Sequence, residues 1–266
     1  MNTEEYVYGN LIGGLGNRMF ILAASYIVHK VNNIPLYIFN SDGNPHSNID
    51  YCKTIFAAFP GKFMEIVHSK DEKYINLSNN IFNPWEPKID MKKCRLCGYF
   101  QFYKTLKPFE SELRNIFLEG LEEYTQILLK KWNFENIGFI HIRRGDYLSL
   151  QHIYPIQPLH YYKKAVEVID KISPNTRYFI LSDDNNWVKS EIYFANEKFT
   201  IFEGDELESL ALMSLCKKAA ICANSTFSWW GAFLGAYKYR NPVICPKNFA
   251  NYAGYEDIFP EDWILI

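Results

Sequence analysis

The chain has no uncharged apolar run of 18 residues, which excludes an evident membrane-spanning helix. It opens MNTEEYVYGN, without a basic stretch followed by an apolar one, so no secretory leader is expected. The six cysteines, at 52, 94, 97, 216, 222 and 245, are therefore read as reduced thiols of a soluble cytoplasmic protein. Cys94-Arg-Leu-Cys97 is a single C-x-x-C with no second pair at zinc spacing, and is not read as a metal site. Charge of one sign is also missing. Lys and Arg number 28 against 30 Asp and Glu, a net charge of -2, with no basic stripe or tail, so no nucleic-acid partner is expected. There is no Walker-type G-x-x-x-x-G-K-[ST], no solenoid-length repeat, no low-complexity tract and no signal of oligomeric state.

What is present is an ordinary globular composition of 266 residues, 48% hydrophobic, with 17% aromatics. Many of those rings must fill cores, and others can line a site for the apolar face of a sugar. Strand-like and helix-like segments alternate. Near the N-terminus a strand is expected over 7–12, a helix over 17–31 and a strand over 36–39. Residues 41–92, rich in Asn, Ser, Pro and Lys, read as irregular structure with short helices. A strand over 96–101 and a helix over 108–118 follow.

From about residue 133 the alternation becomes regular. Strands are expected at 137–142, 177–181, 199–202, 220–223 and 243–245. Helices are expected at 159–172, around 187–194, at 207–219 and at 228–237. Repeated strand–helix units imply parallel sheets covered on both faces. Two clusters imply two α/β domains, 1–132 and 133–266. Ligands of such sheets bind beyond the carboxyl ends of the strands.

Four strand ends carry candidate chemistry. Gly13-Gly14-Leu15-Gly16-Asn17-Arg18 follows the first strand, and glycines before a helix let a ligand approach backbone N–H groups. The dinucleotide fingerprint would need a glycine at Met19 and an acidic residue after Phe39, and both are absent, which argues against a nicotinamide enzyme. A plain tight turn is the alternative. HIRRGDY (141–147) ends the strand at 137–142. There Arg143, beside His141, offers a guanidinium fork suited to phosphate oxygens. Asp146 either holds Arg144 in place or faces a ligand; an internal Arg–Asp pair with a packed histidine is the other reading.

Ser182-Asp183-Asp184 ends the next strand. A carboxylate there can accept from the N1–H and exocyclic amine of guanine, or cap a helix. Asn224-Ser225-Thr226-Phe227 opens the helix carrying Trp229 and Trp230. Its hydroxyls and N–H groups either bind phosphate or serve as caps, and the tryptophans are read as core.

GGLGNRMF (13–20), GYFQ (98–101), HIRRGDY (141–147), LSDD (181–184) and NSTFSWWGAFL (224–234) occur in the order and rough spacing of the α-1,2-fucosyltransferases, glycosyltransferase family 11. The chain resembles that family from residue 6 to about 250. It departs at Arg18, where the family usually has Gln, and 41–92 matches no family block, although it lies where such enzymes would bind the acceptor.

The resemblance implies a GT-B-like α/β fold, two Rossmann-like domains facing a central cleft, with the N-terminal domain on the acceptor side and GDP-fucose held mainly by the C-terminal one. It implies a metal-independent, inverting transfer of fucose to a glycan hydroxyl in α-1,2 linkage, with no cofactor. Arg143 would contact the diphosphate, with His141 beside it and Arg144 close by. Asp183 or Asp184 would reach guanine or ribose. Ser225, Thr226 and the Phe227 backbone would bind phosphate, and Gly14, Gly16 and Asn17 would approach the donor. Asp146 is the nearest candidate for a general base; a reaction driven by its leaving group, with no dedicated base, is the alternative. Transfer of another GDP-linked deoxysugar, or an inactive glycan- or nucleotide-sugar-binding protein, are the rival readings.

Overall fold

The computed structural model describes residues 6–39, 48–64, 73–76, 94–252, 254–255 and 257–266. They form two compact units. One takes the chain to Gly120 and then Gly254–Pro260; the other takes Leu121–Ala253 and Glu261–Ile266. The division falls one helix ahead of 132/133, and the chain returns to the first unit near its end. There Tyr103 N–H donates to Asp257 C=O (2.8 Å) and Lys104 pairs with Asp257.

The first unit begins β1 (Val7–Gly9), α1 (Leu15–Asn32) and β2 (Leu36–Phe39). It continues with β3 (Lys62–Met64), β4 (Lys73–Asn76), β5 (Cys94–Cys97), α2 (Tyr103–Leu106) and α3 (Glu110–Gly120). Its sheet has the order β3-β2-β1-β5-β4, with every pairing parallel. α1 is buried nearly all round, through Met19, Phe20, Ile21 and Leu22 to Ile27. It stops at Asn33, which adopts φ 53 and donates to His29 C=O in a left-handed C-cap.

Two strand expectations need trimming. β1 ends at Gly9, because the chain must turn through Gly13 before α1. β5 covers 94–97, because Gly98 (φ 143) and Phe100 (φ 51) leave the extended conformation. Within 41–92, β3, β4 and a 3-10 turn at Tyr51–Lys53 replace the expected short helices where residues are described; 41–47, 65–72 and 77–92 lie outside the described residues.

The second unit holds α4 (Glu122–Lys131), β6 (Ile137–Ile142), α5 (Leu159–Ile172), β7 (Arg177–Ser182) and α6 (Asn185–Ser190). After these come β8 (Phe199–Ile201), α7 (Glu206–Leu215), β9 (Ala220–Ile221), α8 (Thr226–Tyr239), β10 (Val243–Cys245) and β11 (Ile264–Leu265). The order is β11-β10-β9-β6-β7-β8, again with every pairing parallel. β6 lies in the middle, its residues 138–142 buried, which explains its unbroken apolar run.

α5 covers the sheet with Tyr161, Tyr162, Ala165, Val166 and Ile169, one stripe at helical spacing. α7 starts in a capping box: Asp205 accepts from Leu207 and Glu208 N–H, and Glu208 accepts from Asp205 N–H. It ends at Leu215, short of the expected 219, because Cys216 turns extended (ψ 117) to re-enter the sheet. In α8, Trp229 and Trp230 are 1% and 0% exposed and meet edge to face at 5.1 Å, so both are core. Truncating either to Ala would cost about 3–5 kcal/mol. Among the described residues no helix is long and apolar enough to cross a membrane.

Candidate active site

The carboxyl ends of β6, β7 and β9 place three of the four candidate segments together in the second unit. His141 is the fifth residue of β6. It is 6% exposed, and its ring lies 5.6 Å from that of Phe227 at the start of α8. Burial, reinforced by the Arg143 charge and opposed by Asp183, pushes its pKa down to about 4, so the imidazole is neutral near pH 7. Its Nδ1 is buried without a hydrogen-bond partner among the described residues.

Beyond β6 the two arginines diverge. Arg143 Nη2 pairs with Asp146 Oδ1 (2.7 Å) and Nη1 with Asp183 Oδ2 (3.0 Å), and its guanidinium carbon sits 5.4 Å from the Tyr147 ring centre. Arg144 Nε donates to Asp184 Oδ2 (3.0 Å) and stacks 4.3 Å from Trp187. The internal Arg–Asp pair is therefore real, but Asp146 holds Arg143 rather than Arg144. A 3-10 turn at Asp146–Leu148 swings the carboxylate back toward residue 143.

The pairing does not close Arg143 off. Its side chain is 22% exposed, and its partners Asp146 and Asp183 are 43% and 25% exposed. Solvated pairs of this kind are worth about 0–1 kcal/mol. The two contacts also use two of five guanidinium N–H donors, leaving three.

The β7 end is built from the same contacts. Asp183 Oδ1 accepts the Arg144 N–H (2.8 Å), and Gly145 leaves room for the carboxylate, since a Cβ there would meet Asp183 Oδ2 at 2.6 Å. Asp184 accepts from Trp187 N–H (3.0 Å) as the N-cap of α6. That bond first, then Arg144, holds its carboxyl below the usual range, against the opposing effect of desolvation. Asp184 is thus committed to capping, while Asp183, with about four lone-pair positions and two protein donors, keeps capacity for a ligand.

At α8, Ser225 is the N-cap and its Oγ accepts from Phe227 N–H (3.3 Å). The cap and the site are the same structure: Tyr147 O–H donates to Asn224 C=O (3.1 Å), tying the loop after β6 to the start of α8. Asn224 is fully buried, donating through Nδ2 to Pro155 and Phe249 C=O (3.0 Å each). Thr226 and Phe227 are partly exposed at the helix's first turn, where the dipole favours an anion.

The fourth segment lies in the first unit. Gly13 takes φ +77, and Gly14 caps α1 without a side-chain acceptor. Gly16 is buried in the first turn, and Asn17 Oδ1 accepts from Gln101 Nε2 (3.0 Å), linking GGLGN to GYFQ. Arg18 is 1% exposed; its Nε donates to Gly13 C=O (2.7 Å) and its guanidinium lies 5.7 Å from Tyr51. It braces the turn, which explains how this chain uses a position where the resemblance leads one to expect Gln.

Sequence reasoning missed Tyr147, Tyr154 and Tyr252, which form a row beside Arg143. No local spacing reveals that row, because Tyr252 comes from the distant loop after β10.

A buried neutral histidine, a partly exposed arginine and a capped helix start thus lie together at the carboxyl ends of adjacent parallel strands of an α/β fold. The glycosyl transferase family 11 model matches residues 64–266, and the chain belongs to that family. The O-antigen biosynthesis glycosyltransferase WbnK of Escherichia coli is 28% identical, over 92% of this chain and 95% of its own. An alpha-1,2-colitosyltransferase of E. coli is 26% identical over 98% of both. Galactoside alpha-(1,2)-fucosyltransferase 2 of Pongo pygmaeus is 26% identical over 85% of this chain and 68% of its own. Among solved structures, NodZ alpha-1,6-fucosyltransferase soaked with GDP-fucose superposes with a TM-score of 0.52 at 14% identity, covering 87% of this chain and 92% of that one, a likeness of fold.

Proposed function

We propose that this chain transfers fucose from GDP-fucose to a glycan hydroxyl, with inversion, in α-1,2 linkage and without a metal ion. The observation that carries the reading is Arg143, partly exposed at the end of β6 in a segment bonded to the N-terminus of α8. A diphosphate placed there meets a guanidinium and a helix dipole, both stabilising the charge that develops as GDP leaves. The names of the α-1,2-specific relatives and of the GDP-fucose-soaked neighbour support the linkage and the donor.

In the reaction the acceptor oxygen bonds to the anomeric carbon of fucose as the bond to the phosphate oxygen breaks. The electron pair leaves with GDP through an oxocarbenium-like transition state. The five charges of the site, two Arg and three Asp, sum to -1, so a diphosphate is best received if one carboxylate gives way. Asp146, the most exposed, is that residue. Displaced from Arg143, it becomes an unpaired acceptor able to take the hydroxyl proton. Asp183 receives guanine with its remaining lone pairs.

Colitose is the rival sugar, on the strength of the E. coli colitosyltransferase. The test is transfer to lactose from GDP-fucose and from GDP-colitose in EDTA, with the product linkage read by NMR. An α-1,2-fucosylated product supports the reading. No transfer of fucose, or transfer only with added metal, overturns it.

A further inference from the structure

Three tyrosines run outward from Arg143 in the second unit. Tyr147 lies under the guanidinium at 5.4 Å. Tyr154 stacks on Tyr147, with ring centres 4.8 Å apart and planes at 14°. Tyr252 stands 6.4 Å from Tyr154 at 61°, and their hydroxyls meet at 3.4 Å. Tyr147 is buried, Tyr154 half-buried and Tyr252 46% exposed. The outer pair is an inclined corner of two rings with phenolic oxygens side by side.

The corner is pre-formed. Its two loops are fastened by Asn251 N–H to Ile153 C=O (2.7 Å), Asn251 Nδ2 to Gln151 C=O (2.9 Å), and Asn224 bridging Pro155 and Phe249. Rings held this firmly lose little entropy when a ligand stacks on them.

We propose that Tyr154 and Tyr252 form a pyranose-stacking subsite for the acceptor glycan, a reading that rests on the transferase function above. A β-galactoside suits it: its axial 4-hydroxyl leaves the C3–C4–C5 hydrogens as one apolar face, while its rim hydroxyls can bond the phenols. Strand order separates this place from the nucleotide's. The carboxylates suited to guanine stand at the end of β7, on one side of β6, whereas Tyr252 follows β10, on the other side of β6, and Tyr154 reaches it from the loop after β6 itself. Arg143 lies between, where the leaving phosphate is placed.

The test is saturation-transfer NMR with lactose in the presence of GDP, on wild type, Tyr252→Ala and Tyr252→Phe, with GDP-induced thermal stabilisation measured on each. The expected result is transfer to galactose ring protons in wild type and Tyr252→Phe, and at least a fivefold loss in Tyr252→Ala with the GDP shift unchanged. In turnover, Tyr252→Ala then raises the KM for lactose about tenfold and leaves the KM for GDP-fucose unchanged. No lactose signal in wild type, a signal unchanged in Tyr252→Ala, or a GDP shift lost instead, overturns the subsite. Lactose contact without fucose transfer leaves the subsite standing and sinks the transferase reading.

Discussion

Arg143 and Arg144 are adjacent in sequence, yet the structure assigns them opposite consequences on removal. In Arg143→Ala the folded state loses two pairs to carboxylates that are 43% and 25% exposed. Such pairs contribute about 0–1 kcal/mol each, so Tm should fall by no more than about 4–8 °C. The leaving phosphate, in contrast, loses its guanidinium. Removing one pre-organised donor to developing charge costs about 100-fold or more in kcat. A unit charge about 4 Å from the phosphate at an effective dielectric near 20 is worth about 4 kcal/mol, which is consistent.

Arg144 is less exposed, lies 4.3 Å from Trp187 and pairs with the carboxylate that caps α6. Arg144→Ala should therefore lower Tm by more than Arg143→Ala and reduce kcat by less. Arg143→Lys, with charge but no fork, should fall between wild type and Arg143→Ala. Initial rates of GDP release and melting curves on the four proteins decide the matter. Arg143→Ala retaining most of its turnover, or losing turnover only because it unfolds, refutes the assignment.

Asp183→Asn keeps an acceptor for Arg144 N–H but cannot accept twice from guanine. It should weaken GDP about tenfold or more and narrow the preference over ADP, measured by competition binding. For His141, the histidine is neutral both folded and unfolded above pH 6.5. Between 6.5 and about 4 the unfolded chain takes up the proton and the folded chain does not, so stability falls as pH falls, by up to about 3 kcal/mol. Denaturation midpoints across that window should decline in wild type and flatten in His141→Gln; equal slopes contradict the burial of a neutral imidazole.

The second unit was largely legible because its strands are buried on both faces and separated by clear helical stripes, such as Tyr161–Ala165–Ile169 on α5. The caps were legible too, since Asp184 and Ser225 sit where a strand hands over to a helix. α4 was not: only Leu128 is buried, and Ile127 and Leu129 are exposed beside it, which blurs the period. β11 was not either, since it spans two residues, too few for alternation to show, whereas the strand expected at 220–223 forms as the short β9. At the site, the sequence names charges but not partners. Asp146 reaches Arg143 through a 3-10 turn, and Tyr154 finds Tyr252 98 positions away. Such pairings depend on which loops the sheet order brings together.

The most direct measurement is a calorimetric titration of GDP into wild type and Arg143→Ala, in EDTA and again in magnesium. One saturable site in wild type, equal in both buffers and weakened at least 100-fold in Arg143→Ala, is the predicted outcome. Binding that requires magnesium, or is the same in both proteins, contradicts a diphosphate gripped by the arginine after β6 and the start of α8.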